Sequence, residues 1–162
     1  MSANLPCPPA RVLPPSWRPR RAPGIGGMLP LPPDAGEVEV PAEPDVRQAA
    51  FGSGNGIVLL ARTTPGRAGG TAKGVRGDSP EQPEPVEEGR CAQDVAGATA
   101  YVTRTRLART PAVGGGGPEP LYVGTVDVLL PDGSTIFATA LGPTRESREQ
   151  LLAAIAQLRL DP

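Results

Sequence analysis

The sequence contains no histidine, the residue that most often moves protons at neutral pH. A Ser-His-Asp triad and a Cys-His dyad both depend on an imidazole base, so neither can be assembled here. The two cysteines, Cys7 and Cys91, are too few to complete a zinc site without imidazole ligands. We therefore expect neither a metal nor a cofactor, and we assign no catalytic residue.

Aromatic residues are also scarce: one Trp, two Tyr and two Phe make up 3% of the chain. The core must therefore be small and built from Val, Leu, Ile and Ala. Glycine and proline, in contrast, number 21 and 22 among 162 residues, a share at which low-complexity chains begin. Long loops and arms around a modest core are the expected result.

Charge is nearly balanced, with 16 basic and 17 acidic residues and a formal net charge of -1. This balance argues against a protein that binds polyanions, so we expect no nucleic acid partner. The arginines of SWRPRR lie next to Trp17, but they are too few to hold a nucleic acid strand.

No apolar run is long enough to cross a membrane, so no transmembrane segment is expected. The first residues, MSANLPCPPARVLPPSWRPRR, also lack the continuous apolar stretch of a secretory signal. The expected location is the cytoplasm, or the exterior or cell envelope if the natural chain is made with a leader that is missing here.

The two cysteines allow two interpretations. In one, Cys7 and Cys91 form a disulfide that ties the N-terminal arm to the body and adds roughly 2–4 kcal/mol to the free energy of unfolding. In the other, they are unrelated thiols. Arg90 favours a Cys91 thiolate only slightly, because adjacent residues of a strand point to opposite faces, so a Cys91 nucleophile is disfavoured.

The chain divides into an arm and a body. Residues 1–36 are interrupted by Pro and Gly at close intervals, which predicts an arm with no helix and no central strand. We expect Trp17 to dock part of this arm, the alternative being a disordered arm. Residues 37–162 are expected to form a single α+β domain with flexible loops at 65–89 and 110–120.

Three segments of the body predict regular structure. EPDVRQAAFG, from Glu43 to Gly52, carries capping residues at both ends and predicts a short helix. GIVLLART, at 56–63, is a short apolar run typical of a strand buried on both faces. GATAYVTRTRLA, at 97–108, alternates between a threonine-rich face with Tyr101 and a face with Val102, which predicts a half-exposed strand.

The clearest pattern lies between Leu121 and Leu160. Alternating apolar residues flank the turn sequence PDGS, which predicts a β-hairpin. GPTRESREQ then begins a helix with Thr144 or Ser147 as its N-cap and a leucine-rich stripe on one side. Arg145 and Glu149 are expected to pair along its exposed side. Together these elements predict an α+β fold: a small antiparallel sheet of about four or five strands with the C-terminal helix packed on one face.

The order of a strand, the VDVLLPDGS hairpin, a second strand and a final helix ending in LLAAIAQLRL resembles the end of PsbP-like domains in small exported proteins of high-GC bacteria. LPPSW, at Leu13–Trp17, is similar to the opening of such domains. The resemblance covers Leu121–Leu160 and that one patch. It implies a non-catalytic accessory or lipoprotein-like domain and carries over no functional residue.

The expected function is that of a non-catalytic binding or accessory module that acts through a protein partner. Trp17, Tyr101 and Tyr122 are the candidate contacts, because the few aromatic residues would dominate an interface. Two alternatives stay open: a component of a large assembly whose arm orders on contact, or a small hydrolase-like enzyme without a recognisable motif. The sequence makes no prediction of oligomeric state.

Overall fold

The computed structural model describes residues 5–8, 12–41, 44–63, 86–108 and 120–161. In these residues the chain forms two antiparallel sheets and one helix. The elements are β1 (Arg18–Ala22), β2 (Gly27–Leu31), β3 (Gly36–Glu37), β4 (Val46–Ser53), β5 (Gly56–Thr63), β6 (Val86–Val95), β7 (Ala98–Ala108), β8 (Pro120–Leu129), β9 (Thr135–Gly142), α1 (Arg145–Ala156) and β10 (Arg159–Leu160).

The large sheet has seven strands in the order β3-β4-β5-β9-β8-β7-β6, and the small sheet has three in the order β1-β2-β10. Hairpins connect most neighbours in the large sheet. The predicted hairpin around PDGS is present as β8 and β9. Its turn holds Gly133 at a φ of +88°, and Asp132 accepts a hydrogen bond from the Ser134 amide.

The predicted α+β fold, with a sheet of four or five strands, is wrong. The described residues form a mainly β structure in which the only helix has 12 residues. One reason is the segment predicted as a helix at 43–52, most of which is the strand β4, paired along its length with β5. Pairing with the apolar strand β5 outweighs the weak helical preference of so short a segment. The prediction that β5 is buried on both faces is wrong, because Val58 and Leu60 on one face are buried whereas Ile57 on the other is exposed.

Strands β1 and β2 lie in the segment predicted as an arm, and β2 has a neighbour on each side, so the prediction of no central strand there is wrong. Pro19 and Pro30 lie directly opposite each other in this pair. A pair that lacks both amide hydrogens fits where the two strands exchange no hydrogen bond. On the other side of β2, strand β10 pairs only with Gly27 and Met28. Pro30 therefore has no paired residue on that side, and its missing amide hydrogen costs no hydrogen bond there.

Strand β6 begins inside the predicted loop at 65–89, and β8 begins at the last residue of the predicted loop at 110–120. The rest of both loops lies outside the described residues. The division into an arm and a body stays a prediction.

The core lies between the large sheet and a layer made of α1 and the small sheet. The predicted apolar stripe of the helix, Leu151, Leu152, Ile155 and Leu158, is buried. Gly124 of β8 makes room for it, since a Cβ there would lie 2.6 Å from a Leu152 methyl carbon. Thr144 is the N-cap and accepts a hydrogen bond from the Ser147 amide.

Side chains alternate along each strand, so every second residue of the large sheet faces this layer. We call that side of the sheet the covered face and the other side the open face. The covered face carries the buried residues Val58, Leu60, Val102, Val126 and Ile136. Of the described helices and strands, none packs on the open face.

The N-terminal residues are attached to the outer edge of the large sheet. Cys7 and Cys91 form a disulfide with a Cα–Cα distance of 4.8 Å, as the first of the two interpretations allows. The Cys7 amide donates to the Ala92 carbonyl at 2.9 Å, and the Ala92 amide donates to the Leu5 carbonyl at 2.7 Å. This attachment satisfies one residue of the edge strand β6 and covers part of an otherwise unpaired edge.

Candidate functional site: the open face of the large sheet

The open face is an ordered array, because the strands keep a continuous register from β4 to β7. Tyr101 lies opposite Asp127, Asp127 lies opposite Phe137, and Phe137 lies opposite Ala61. Residues paired in this way have Cβ atoms roughly 5 Å apart. One row across the sheet therefore places a carboxylate between two aromatic rings.

The next row along the strands is a threonine ladder. Thr103 lies opposite Thr125, Thr125 opposite Thr139, and Thr139 opposite Leu59. Threonine suits such a row because its branched side chain favours the extended backbone and presents both a methyl and a hydroxyl. Thr103 and Thr125 are half-buried in this row, and Thr139 is buried.

Large apolar side chains on the open face remain in contact with solvent. Leu129 is 65% exposed and Tyr101 is 48% exposed, and Ile57 is exposed as well. Phe137 and Leu141 are half-buried. Single exposed apolar residues need no explanation, but a group on one ordered face is typical of an interaction surface.

Asp127 is the charged residue at the centre of this surface. It makes no hydrogen bond or ion pair with any residue of the described ranges, although its side chain stands between Tyr101 and Phe137. Partial loss of hydration raises the pKa of Asp127 above its ordinary value. Asp127 is nevertheless exposed, so its carboxylate is in contact with water in the free protein.

The three aromatic residues predicted as partner contacts lie apart. Tyr101 is on the open face, Trp17 is 9% exposed in the core, and Tyr122 is half-buried on the covered face. Two guanidinium groups lie over the Tyr122 ring, that of Arg145 at 5.0 Å and that of Arg148 at 5.7 Å from its centroid. Their role in binding a partner stays a prediction, and Tyr101 is the one already placed on the open face.

A second group of polar residues lies at the edge of the covered face. We call it the arginine cluster, and it consists of Glu88, Arg104, Tyr122, Arg145, Arg148 and Glu149. A register shift between Glu87 and Gly89 leaves Glu88 as the extra residue of a β-bulge, with its carboxylate bound by Arg145 and Arg148 of α1. Bulges commonly re-aim a side chain in this way.

Arg148 is the centre of the arginine cluster, with a side chain only 4% exposed. It donates to Glu88 at 2.6 Å and to Glu149 at 2.9 Å. Arg104 binds Glu149 through two nitrogens and also donates to the Cys91 sulfur at 3.3 Å. Each buried charge thus has an opposite charge beside it, as a stable buried ion network requires.

The pairs predicted along the helix surface are different from those observed. Arg145 and Glu149 were expected to pair with each other, but Arg145 binds Glu88 on β6 and Glu149 binds Arg104 on β7. The hydrogen bond from Arg145, opposed by desolvation and assisted by Arg148, lowers the pKa of Glu88 from 4.5 to about 2. Desolvation would raise the pKa of Glu149, but Arg104 and Arg148 outweigh it and the pKa lies below its ordinary value.

The arginine cluster therefore holds its carboxylates ionised and pairs them with arginines, which suits a brace between helix and sheet better than proton transfer. Within the described ranges, no group of three or more His, Cys, Asp or Glu side chains is placed to hold a metal ion. The helix found in those ranges is too short and too polar to cross a membrane.

Sequence reasoning placed Tyr101 on the threonine-rich face of its strand, and the structure agrees. It did not bring Asp127 and Phe137 next to Tyr101, because that neighbourhood depends on the register between strands. The alternation of VDVLL was the available signal, since it sets Asp127 on the face opposite to Val126 and Val128.

No protein-family model and no curated protein matches the chain. Among solved structures, one similar protein is from Pseudomonas aeruginosa, has an unknown function and is provisionally called a regulator. The matched region covers 81% of this chain and 85% of the Pseudomonas chain. The identity is 14% and the TM-score is 0.37. A likeness at this level carries no argument about fold or function.

Proposed function

We propose that the protein is a non-catalytic binding module that takes a protein partner on the open face of its large sheet. The observation that carries the proposal is the grouping of exposed Tyr101 and Leu129 with half-buried Phe137 on one ordered face. Interfaces are enriched in aromatic anchors surrounded by apolar contacts of this kind. The PsbP-like resemblance of the sequence agrees with such an accessory role and belongs to the same proposal.

The chemistry of the acidic residues supports binding over catalysis. Acid–base catalysis uses two groups whose environments drive their pKa values apart within reach of one substrate. Glu88 and Glu149 are both held ionised by arginines. Asp127 has a raised pKa, but it faces Tyr101 and Phe137 rather than a second carboxylate. A surface that presents one carboxylate among apolar groups is better suited to recognition.

The proposal is tested by site-specific photo-crosslinking in the cells that naturally make the protein. The photoreactive residue p-benzoylphenylalanine replaces Tyr101 or Leu129 on the open face, or Val12 as a control. Val12 is 94% exposed but is not part of the large sheet. Crosslinked peptides are then sequenced by mass spectrometry.

The expected result is the same partner peptide from positions 101 and 129 and not from position 12. A charge introduced next to the probe should prevent crosslinking: with p-benzoylphenylalanine at position 101, the added substitution Leu129→Lys should abolish the crosslinked product. Equal products from all three positions, or none from the two on the open face, would refute the proposed function.

A further inference from the structure

The open face also indicates which partner chemistry it accepts. Given the proposed function, on which this inference rests, we infer that the partner segment is apolar and carries one lysine or arginine whose cation lies against Asp127. The partner is thus a peptide segment of defined chemistry, and Asp127 is its specificity-determining residue.

The first step of the argument is the environment of Asp127. Its neighbours across the sheet are Tyr101 and Phe137, and its neighbours two residues along β8 are Thr125 and Leu129. Three of these four are apolar or aromatic. Any partner that covers Tyr101 and Leu129 must also cover Asp127.

The second step is the cost of covering a carboxylate. An ionised group removed from water without a compensating partner is strongly disfavoured, whereas one that meets an opposite charge is tolerated. A purely apolar partner would therefore be penalised at the centre of the surface. A partner with a cation opposite Asp127 avoids the penalty, and the ring of Tyr101 can add a cation–π contact.

The third step is that the described part of the open face supplies no such cation itself. Arg90, on the edge strand β6, faces this side, and it is held by Glu87 at 2.6 Å. Asp94 lies on the same side near the end of β6. The described charges on the open face therefore give a net negative charge around Asp127. This negative surface is complementary to a basic group.

The same charges argue against a second copy of the chain as the occupant. Two open faces packed on each other would bring a second Asp94 and a second Asp127 to a surface that already carries both. Like charges that lose water together repel strongly. A heterologous segment with a cation fits better.

The inference can be tested without knowing the natural partner, by selecting peptides from a library of random 16-residue sequences displayed on phage. The 162-residue chain, with its disulfide oxidised, is the target. The selected peptides are then measured for affinity against Asp127→Asn, Asp94→Asn and Tyr101→Ala variants. Asp94→Asn is the matched control, because it removes a carboxylate from the edge of the same face.

We expect the selected peptides to be apolar with one enriched Lys or Arg. Asp127→Asn should weaken them roughly tenfold, which corresponds to about 1.4 kcal/mol, and Asp94→Asn should change affinity by less than about twofold. A parallel selection against Asp127→Lys should enrich Asp or Glu at the same peptide position. Circular dichroism of each variant shows whether the fold is intact.

The outcomes separate the two proposals. Peptides that depend on Tyr101 but show no preference for a cation, or that bind Asp127→Asn equally well, would overturn the inference and leave the proposed function standing. Peptides that ignore both Tyr101→Ala and Asp127→Asn, a chain that binds its own copies at this face, or a selection that yields no peptide would count against both.

Discussion

Replacement of Glu88 by Gln tests whether the arginine cluster braces the helix against the sheet. The substitution keeps the shape of the side chain and removes the charge that Arg145 and Arg148 both contact at 2.6 Å. Arg148 is buried, so it loses one of its two carboxylate partners and keeps only Glu149. Removing one partner from a buried ion pair is destabilising because a charge is left incompletely compensated.

The magnitude follows from the pKa of Glu88. A fall from 4.5 to about 2 corresponds to about 3 kcal/mol at 1.36 kcal/mol for each pH unit. Arg145, which contributes most to the shift, is 57% exposed, and solvent screens its interaction. We therefore expect Glu88→Gln to lower the free energy of unfolding by about 2 kcal/mol, and the melting temperature by ~4–8 °C.

The stabilisation by Glu88 depends on pH, and the direction of that dependence can be predicted. Because the pKa of Glu88 is lower in the folded state, its stabilisation is complete above pH 4.5 and is lost as the pH falls towards 2. The stability difference between wild type and Glu88→Gln should therefore be largest near pH 7 and shrink to less than about half at pH 3. Urea denaturation at both pH values, followed by circular dichroism without reductant, measures it.

Glu87→Gln is the matched control. Glu87 is adjacent in sequence and pairs with Arg90, but both side chains are about half exposed, so the loss should stay below about 1 kcal/mol. Equal destabilisation by the two substitutions, or a difference for Glu88→Gln that does not change between pH 7 and pH 3, would refute the reasoning.

Two further experiments test the disulfide that attaches the N-terminal residues and the packing of α1 against β8. Reducing the disulfide, or replacing Cys7 and Cys91 by Ser, should cost roughly 2–4 kcal/mol in urea denaturation, because the bridge spans 84 residues; a wild-type midpoint unchanged by reductant would contradict this. Gly124→Ala should lower the free energy of unfolding by about 1–3 kcal/mol, because the added methyl forces Leu152 out of its packing. Gly36→Ala is the control and should be nearly neutral, since a Cβ at Gly36 meets nothing within 4 Å. Equal melting temperatures for the two variants would show that the helix tolerates the added methyl.

The elements predicted correctly from sequence are those specified by residues close together in the chain. The β8–β9 hairpin follows from Asp132 and Gly133 in a short turn, and α1 follows from the Thr144 cap and the leucine stripe behind it. The face of β7 that carries Tyr101 follows from simple alternation. None of these depends on contacts far away in the sequence.

The elements that were missed depend on distant partners. Pro19 and Pro30 argue against strands until they are placed opposite each other, where neither amide hydrogen is needed. Glu88 belongs to a predicted loop, but a bulge and two helix arginines make it part of a buried network. The candidate site shows the same limit of prediction from sequence. Alternation within β7 places Tyr101 on its face, but placing Asp127 beside it requires the register between β7 and β8.

The pairing of β5 with β9 has a consequence for how the chain folds during synthesis. Ile57 pairs with Leu141, so the centre of the large sheet joins residues that lie about half of the chain apart. The β4–β5 hairpin and the β6–β9 strands can each form from nearer contacts, but the apolar face of the first piece waits for the second. Because β10 pairs with β2, the small sheet is completed only after the last described residues have left the ribosome. We therefore expect the early strands of the nascent chain to need protection until β9 and β10 have been made.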